Sequence, residues 1–448
     1  MSTNILMIVI KGNATLDYAT PLLWKISARE KNANISVLYC SISRNTILKN
    51  ASYYSKVYEH CDILEYDFAD FIQGPFRFLK GTWRTLLSES NWDSVGWKRF
   101  LDKLPFGNHI SSRVTLLLKS LDIILSKRVS FEKILPHFNP DVVLFDNRTT
   151  TNFHGRKQFY DYFAQQKPKI VLLPHAPLHS GTYAMIPFDE KGEDLPDYCD
   201  YWMPYKYERT SELIPQQKDQ FAYVGYPGMD SEWIKWLQSY SGIFSDNNIR
   251  NSENSTNLKC LFVIRKFRDY DDPLTDFDDY RYSYDEFMYY LNLVKSSLAD
   301  LGQNVDVIVK PHPSNSMKSL KGALKVAGIK NWKIMTDSLY SALNEIDFII
   351  SLYSTAPFTL AASGIPVVWL NSRVQSVAHR DEMKPELFSG FEYYLDDPEN
   401  LRSKLPELIG TLKVRSNEDT YETGHDSVHI RKFYPDGALQ RCLKRLEI

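Results

Sequence analysis

Short β-branched runs alternate with longer helical stretches along this chain, and the alternation starts afresh past the midpoint. Residues 5–10, 35–40, 142–145 and 170–173 read as buried strands, with 201–204 and 221–224 as weaker ones. From residue 258 the rhythm restarts at 260–264, 305–310, 332–335, 348–351 and 367–370. Apolar runs of this length separated by helical patterns predict parallel strands joined by crossover helices. The expectation is two Rossmann-like, doubly wound α/β domains facing a cleft. The first spans 1–238, with an aromatic and basic helical insertion at 66–125, and the second spans 258–428. Between them, residues 239–257 are rich in Ser and Asn and read as a linker or surface loop. After the turn at Pro435-Asp436-Gly437 a short amphipathic helix within 429–448 is expected to cross back to the first domain, by analogy with two-lobed α/β proteins.

Composition narrows the function. The 448 residues carry a formal net charge of −2, so there is no basic field of the kind that drives nucleic-acid binding by counterion release. The five cysteines, at 40, 61, 199, 260 and 442, include no C-x-x-C pair and suit a reducing compartment better than a disulfide framework. The apolar start, residues 5–10, is too short for a signal peptide and reads as a first strand. No window approaches the roughly 18 apolar residues of a membrane span. A cytoplasmic protein is expected, with any membrane contact peripheral. The segment 66–90, where Phe68, Phe71, Phe76 and Trp83 recur beside Arg77, Lys80 and Arg84, is read either as a membrane- or acceptor-facing helix pair or as a helix packed on its own domain. An acidic, tyrosine-rich stretch from Asp269 to Tyr290 is read as a solvated loop or a substrate-facing one.

Ligands of doubly wound sheets bind outside the carboxyl ends of the strands, so residues just after strands are the candidates. In the second half one strand ends in Lys310-Pro311-His312-Pro313, where two prolines stop the strand and hold a cation and an imidazole at the sheet edge. The strand before it ends in Arg265-Lys266. A third ends at Ser351 and passes through Ser354 and Thr355 to Pro357, which opens a helix. The hydroxyls and free N–H groups there suit a phosphate, or Ser354 and Thr355 act as plain caps. Arg265, Lys266, Lys310, His312, Ser351, Ser354 and Thr355 are thus the expected binding set for a nucleotide donor, held without a metal or other cofactor. Asp276-Phe277-Asp278 lies outside any metal-holding context, and there is no G-x-G-x-x-G or P-loop, against dinucleotide oxidoreductases and ATPases. In the first half Asp17, Asp146, Arg148 and His175 follow strands and are candidates for acceptor or sugar binding, with Asp17, Asp146 or His175 able to take a hydroxyl proton. Asp230 stands where the first half passes into the linker. For each of these an N-cap or loop hydrogen bond is the competing reading.

The K-P-H-P turn, the later D-x-x-I-S-x-Y-S-T turn and the G-I-P-V-V strand together resemble the nucleotide-binding half of two-lobed (GT-B) bacterial glycosyltransferases. The similarity is greatest to those with cytidine-activated donors: sialyltransferases, Kdo transferases of capsule and O-antigen assembly, and CDP-glycerol glycerophosphotransferases. It covers roughly residues 258–440. It implies contact of His312 with the nucleotide phosphate, aided by Ser351, Ser354 and Thr355, and transfer of Kdo or a related acidic sugar from a CMP-linked donor to a glycan or lipid-linked glycan acceptor in surface polysaccharide (capsule, lipopolysaccharide O-antigen) biosynthesis. By the same analogy Asp230 or Asp146 would be the cleft carboxylate, as base or nucleophile, with His312 assisting departure of the nucleotide. The Trp-His-Gly motif of glycerophosphotransferases is missing, and Lys191 interrupts the acidic-acidic-Gly motif of sialyltransferases at Asp189-Glu190-Lys191-Gly192. A glycerophosphotransferase, an isomerase of the UDP-N-acetylglucosamine 2-epimerase type and a non-catalytic glycan-assembly scaffold are the alternatives.

Overall fold

The structure, a computed structural model, describes residues 3–9, 12–39, 53–71, 131–146, 168–174, 199–204, 221–240, 257–267, 282–312, 315–343, 345–352, 354, 356–371, 388–415 and 424–448. The chain divides into two compact units: Met1–Lys49, Tyr54–Val224 and Leu439–Ile448 form one, and Asn50–Tyr53 with Gly225–Ala438 the other. The first unit therefore ends at Val224, not at 238. The turn and helix that follow belong to the second.

In the first unit the described elements run β1 (Asn4–Val9), α1 (Gly12–Arg29), β2 (Asn34–Tyr39), α2 (Tyr53–His60), β3 (Leu64–Asp67), α3 (Phe131–Phe138), β4 (Val142–Asp146), β5 (Lys169–Leu173), β6 (Cys199–Met203) and β7 (Phe221–Tyr223). The strands pair in the order β3-β2-β1-β4-β5-β6-β7, parallel throughout. Every residue from Ile5 to Val9 is buried, as expected of a central parallel strand covered on both faces. On one face Leu6, Ile8, Val143, Phe145 and Leu172 pack with Ile134 and Leu135 of α3. Of the insertion at 66–125, only residues 66–71 are described, as the end of β3 and a short 3-10 turn.

The second unit runs α4 (Ser231–Ser239), β8 (Leu258–Val263), α5 (Tyr284–Ala299), β9 (Val305–Lys310), α6 (Met317–Val326), β10 (Lys333–Ile334), β11 (Phe348–Leu352), α7 (Phe358–Ala362), β12 (Val367–Leu370), β13 (Tyr393–Leu395), α8 (Leu401–Arg415) and α9 (His425–Phe433). Its strands order as β10-β9-β8-β11-β12-β13, again all parallel. Alternate residues Phe262, Val309, Ile350, Val368 and Leu395 face a core completed by Phe287, Leu291 and Val294 of α5, Leu320 and Leu324 of α6, and Leu401 and Leu405 of α8. Burial of each such side chain contributes about 1.5–3 kcal/mol. The tyrosine-rich stretch is not one loop to Tyr290: Ser283 caps α5 by accepting from Glu286 N–H, and Phe287 and Tyr290 are buried in the core. Residues 268–281 of it, like 241–256 of the expected linker, lie outside the described residues.

The last helix, α10 (Ala438–Leu446), is held in the first unit. Its Arg445 guanidinium grips Asp200 of β6 with two N–H donors at 2.8 and 3.0 Å, a bidentate geometry, and Arg441 donates to the Val224 carbonyl at 3.1 Å. Leu439, Cys442, Leu443 and Leu446 supply its buried face.

Candidate functional site

The order of the second sheet reverses between β8 and β11, and a doubly wound sheet leaves a ligand crevice outside the strand ends at such a point. The pairing of β8 with β9 runs to the very edge, where Ile264 N–H donates to the Lys310 carbonyl at 3.0 Å. Past it, the Phe267 ring stacks on Phe287 at 4.0 Å, and Tyr282 N–H donates to the Lys266 carbonyl at 3.1 Å. The half-buried Arg265 and Lys266 are thereby presented from a fixed backbone. From the neighbouring strand, Pro311 is buried and His312 is exposed.

Asn315 joins the two turns. Its side-chain oxygen accepts from Phe267 N–H at 3.2 Å, its side-chain nitrogen donates to the Arg265 carbonyl at 3.1 Å, and its own N–H donates to the His312 carbonyl at 2.9 Å. Sequence reasoning passed over this residue. The one available signal is an Asn two residues after Pro313, a residue type that satisfies backbone groups in turns. Asn315→Ala is expected to cost about 1–3 kcal/mol in chemical denaturation, since it removes two hydrogen bonds and strands a half-buried N–H. The His312 resonance should then titrate higher by NMR as Arg265 loses its anchor. An unchanged titration would leave Asn315 with a folding role alone.

The His312 imidazole is drawn down to about 4, first by crowding among protein atoms and then by the positive charges of Lys266, Arg265 and Lys310. One side of the residue is open to solvent, so water moderates the desolvation, while the three cations act in the same direction regardless. At neutral pH the ring is uncharged, with one N–H to donate, beside fixed positive charge. Such a group takes a phosphate oxygen well.

The third strand end differs from expectation. Ser351 lies inside β11, fully buried, with its hydroxyl donating to the Leu352 carbonyl at 3.0 Å, because the strand runs one residue further than its sequence suggests. Ser354 accepts from Ala356 N–H at 3.3 Å, the capping role held as the competing reading. The helix beyond has five residues with Pro357 at its N-cap, too short to present the expected anion site. Lys310 turns its ammonium to the carbonyls of Thr336 and Asp337, so it ties β9 to the segment after β10 and contributes to the site by charge. Asp230 is the N-cap of α4: it is buried and accepts from Glu232 N–H at 3.1 Å. This is the N-cap role that stands as the competing reading for it. Thr355 lies outside the described residues.

In the first unit Asp146 ends β4, opposite Leu173 of β5. Asp17, in the second turn of α1, accepts from the buried Tyr54 hydroxyl at 2.6 Å. Close by, Glu65 accepts from Tyr39 and Ser55 at 2.7 and 2.8 Å. Burial pushes the Tyr58 hydroxyl far above its ordinary range, and its partner is Thr20 at 2.8 Å. Burial also raises the Cys61 thiol to about 11, so neither group titrates near neutrality. Arg148 and His175 lie outside the described residues. Among the described residues no three His, Cys, Asp or Glu side chains stand together as a metal site.

No protein-family model and no curated protein matches the sequence. Solved structures do. A Listeria monocytogenes protein assigned as a UDP-N-acetylglucosamine 2-epimerase superposes with a TM-score of 0.55 at 12% identity, covering 100% of this chain and 96% of the other. S. aureus MnaA with UDP gives 0.53 at 15% identity, covering 100% and 96%. The Neisseria meningitidis UDP-GlcNAc 2-epimerase bound to UDP-GlcNAc gives 0.50 at 12%, covering 98% and 100%. The fold is of the GT-B type. Two parallel, doubly wound sheets of seven and six strands among the described residues are its substance, and at these identities the likeness concerns the fold.

Proposed function

We propose that the second unit holds the phosphates of a nucleotide-activated sugar and that the chain is a glycan-building enzyme which breaks the bond between the sugar and that phosphate. The observation that carries this reading is the convergence of Arg265, Lys266 and His312 at the reversal point of the second sheet, braced by Asn315. Fixed cations at a departing phosphate stabilise the negative charge that grows as the bond breaks. The two side-chain cations supply the charge compensation that a metal would otherwise bring.

A uridine diphosphate sugar is the preferred substrate, and epimerisation at C2 the preferred fate: UDP leaves C1 as the C2 proton is removed, and both return, the proton to the opposite face. The S. aureus and Neisseria structures of the same fold hold UDP and UDP-GlcNAc. Transfer from a cytidine-activated donor is the second reading, and the K-P-H-P turn with His312 at its strand end favours it. Thermal shift with UDP, UDP-GlcNAc, CMP and CDP separates the two, on the wild type and on His312→Ala. Stabilisation by UDP and UDP-GlcNAc that shrinks in the variant is expected, together with inversion at C2 of UDP-GlcNAc followed by NMR. Stabilisation by CMP alone would move the assignment to the cytidine-donor transferases, and no shift with any nucleotide would remove the enzyme reading.

A further inference from the structure

From Val307 to Thr336 the chain carries six lysines, at 310, 318, 321, 325, 330 and 333, and no arginine, aspartate or glutamate. In a protein whose charges nearly cancel over the whole chain, this is a stretch of one sign. Lys310 is spent on backbone carbonyls. The other five are exposed, and among the described residues none of their ammonium groups makes a hydrogen bond or ion pair.

The helix geometry gathers them. Leu320, Ala323 and Leu324 of α6 are buried in the core of the second unit, which turns Lys318, Lys321 and Lys325, spaced three and four residues apart, to the outer face. The turn after α6 adds Lys330, and the start of β10 adds Lys333. Among them stands Val326, 71% exposed, one of the few large apolar side chains left in water. The carboxylates bounding the stretch are engaged elsewhere, Asp306 with Asn257 at 3.2 Å and Asp337 with Ser338 N–H at 2.8 Å.

We infer that this lysine face of α6 and the turn after it docks the protein on an anionic lipid bilayer. Lysines are compact point charges suited to a diffuse negative surface, whereas a defined phosphate or carboxylate site would draw on the planar fork of arginine. A polybasic face on an amphipathic helix is the pattern that anionic headgroups attract, and Val326 offers an apolar side chain to the interface. The alternative of single-stranded nucleic acid would want exposed aromatic rings for base stacking, yet the one aromatic residue in the stretch, Trp332, is half-buried with its ring edge-on to Phe262 at 6.0 Å. The membrane contact expected at 66–90 falls, from residue 72 on, outside the described residues. The lysine face is a separate surface and does not rest on the nucleotide reading.

Vesicle flotation tests it with the full chain, using phosphatidylcholine alone and phosphatidylcholine with phosphatidylglycerol. The wild type is expected to float with the anionic vesicles only and to be released by salt, because exposed charges are screened. The triple variant Lys318→Gln, Lys321→Gln, Lys325→Gln should bind roughly a hundredfold more weakly, at about fivefold for each lysine removed. The corresponding triple arginine variant should still float. Unchanged thermal melting of both variants shows that they are folded. Equal flotation with neutral lipid, undiminished flotation of the glutamine variant, or no flotation of the wild type overturns the inference. So does retention on an anionic polysaccharide without flotation, which would point to a glycan polyanion.

Discussion

Replacing Arg265 and Lys266 together by alanine is expected to weaken nucleotide binding by about 10²–10⁴-fold in calorimetry, since each hydrogen bond to a charged partner contributes about 1.5–3 kcal/mol. The effect of the pair is larger than that of His312→Ala because the imidazole is uncharged at neutral pH. The same double variant changes how His312 titrates. Crowding still disfavours the charged ring, but two of the three cations that lower it are gone. The ring should titrate above about 4 and below its ordinary 6.5 by NMR. The sign of the stability change follows. Between 6.5 and about 4 the unfolded chain takes up a proton that native His312 refuses, so this group's contribution to stability falls as pH drops through that window. In the double variant the window narrows from its lower end. Wild-type affinity in the double variant would remove the phosphate reading, and an unshifted titration would mean that the two cations do not face the imidazole.

How far the fold could be read in advance depended on where each strand lies. The central strands were legible to within one or two residues because burial on both faces forces continuous apolar runs such as Cys260–Val263 and Val367–Leu370. The edges were not. Leu64–Asp67 carries the sequence LEYD, exposed or half-buried throughout, and Tyr393–Leu395 has three residues. An edge strand needs only one neighbour and can stay polar, so it leaves no apolar run to recognise. The site divides in the same way. Arg265, Lys266 and His312 stand near one another because sheet topology alone puts adjacent strand ends together. Ser351 lies inside a strand and not at its end because β11 runs on to Leu352. The cap at Asp230 was legible, since Asp followed by Ser-Glu-Trp at the start of a helical pattern is an ordinary cap signature. Asn315 was missed because its amide joins segments 48 and 50 residues apart, a relation that no local pattern contains.

Gly390→Ala is expected to destabilise the second unit by about 1–3 kcal/mol or more, as an overpacked core does. A Cβ at this position would fall inside contact distance of three atoms of the His429 imidazole, Cε1, Nδ1 and Nε2. The ring has little room to swing away: it is buried, with Phe391 and Phe433 on either side at centroid distances of 5.2 and 5.3 Å. One turn before it on the same helix, the buried Asp426 accepts from the N–H groups of Val367 and Glu392 at 3.1 and 3.0 Å. A shift of α9 to accommodate the new methyl group would therefore pull on the start of β12 and the approach to β13 together. In a unit of this size each kcal/mol lowers the melting midpoint by about 2–4 °C, so the drop should be plain in calorimetry. The double variant Gly390→Ala, His429→Ala separates the cause from general loosening. If the methyl group and the ring collide, removing the ring recovers part of the loss, and the cycle closes with a coupling of about 1–3 kcal/mol. Losses that simply add would show that Gly390 is needed for its backbone and not for the space it leaves to His429.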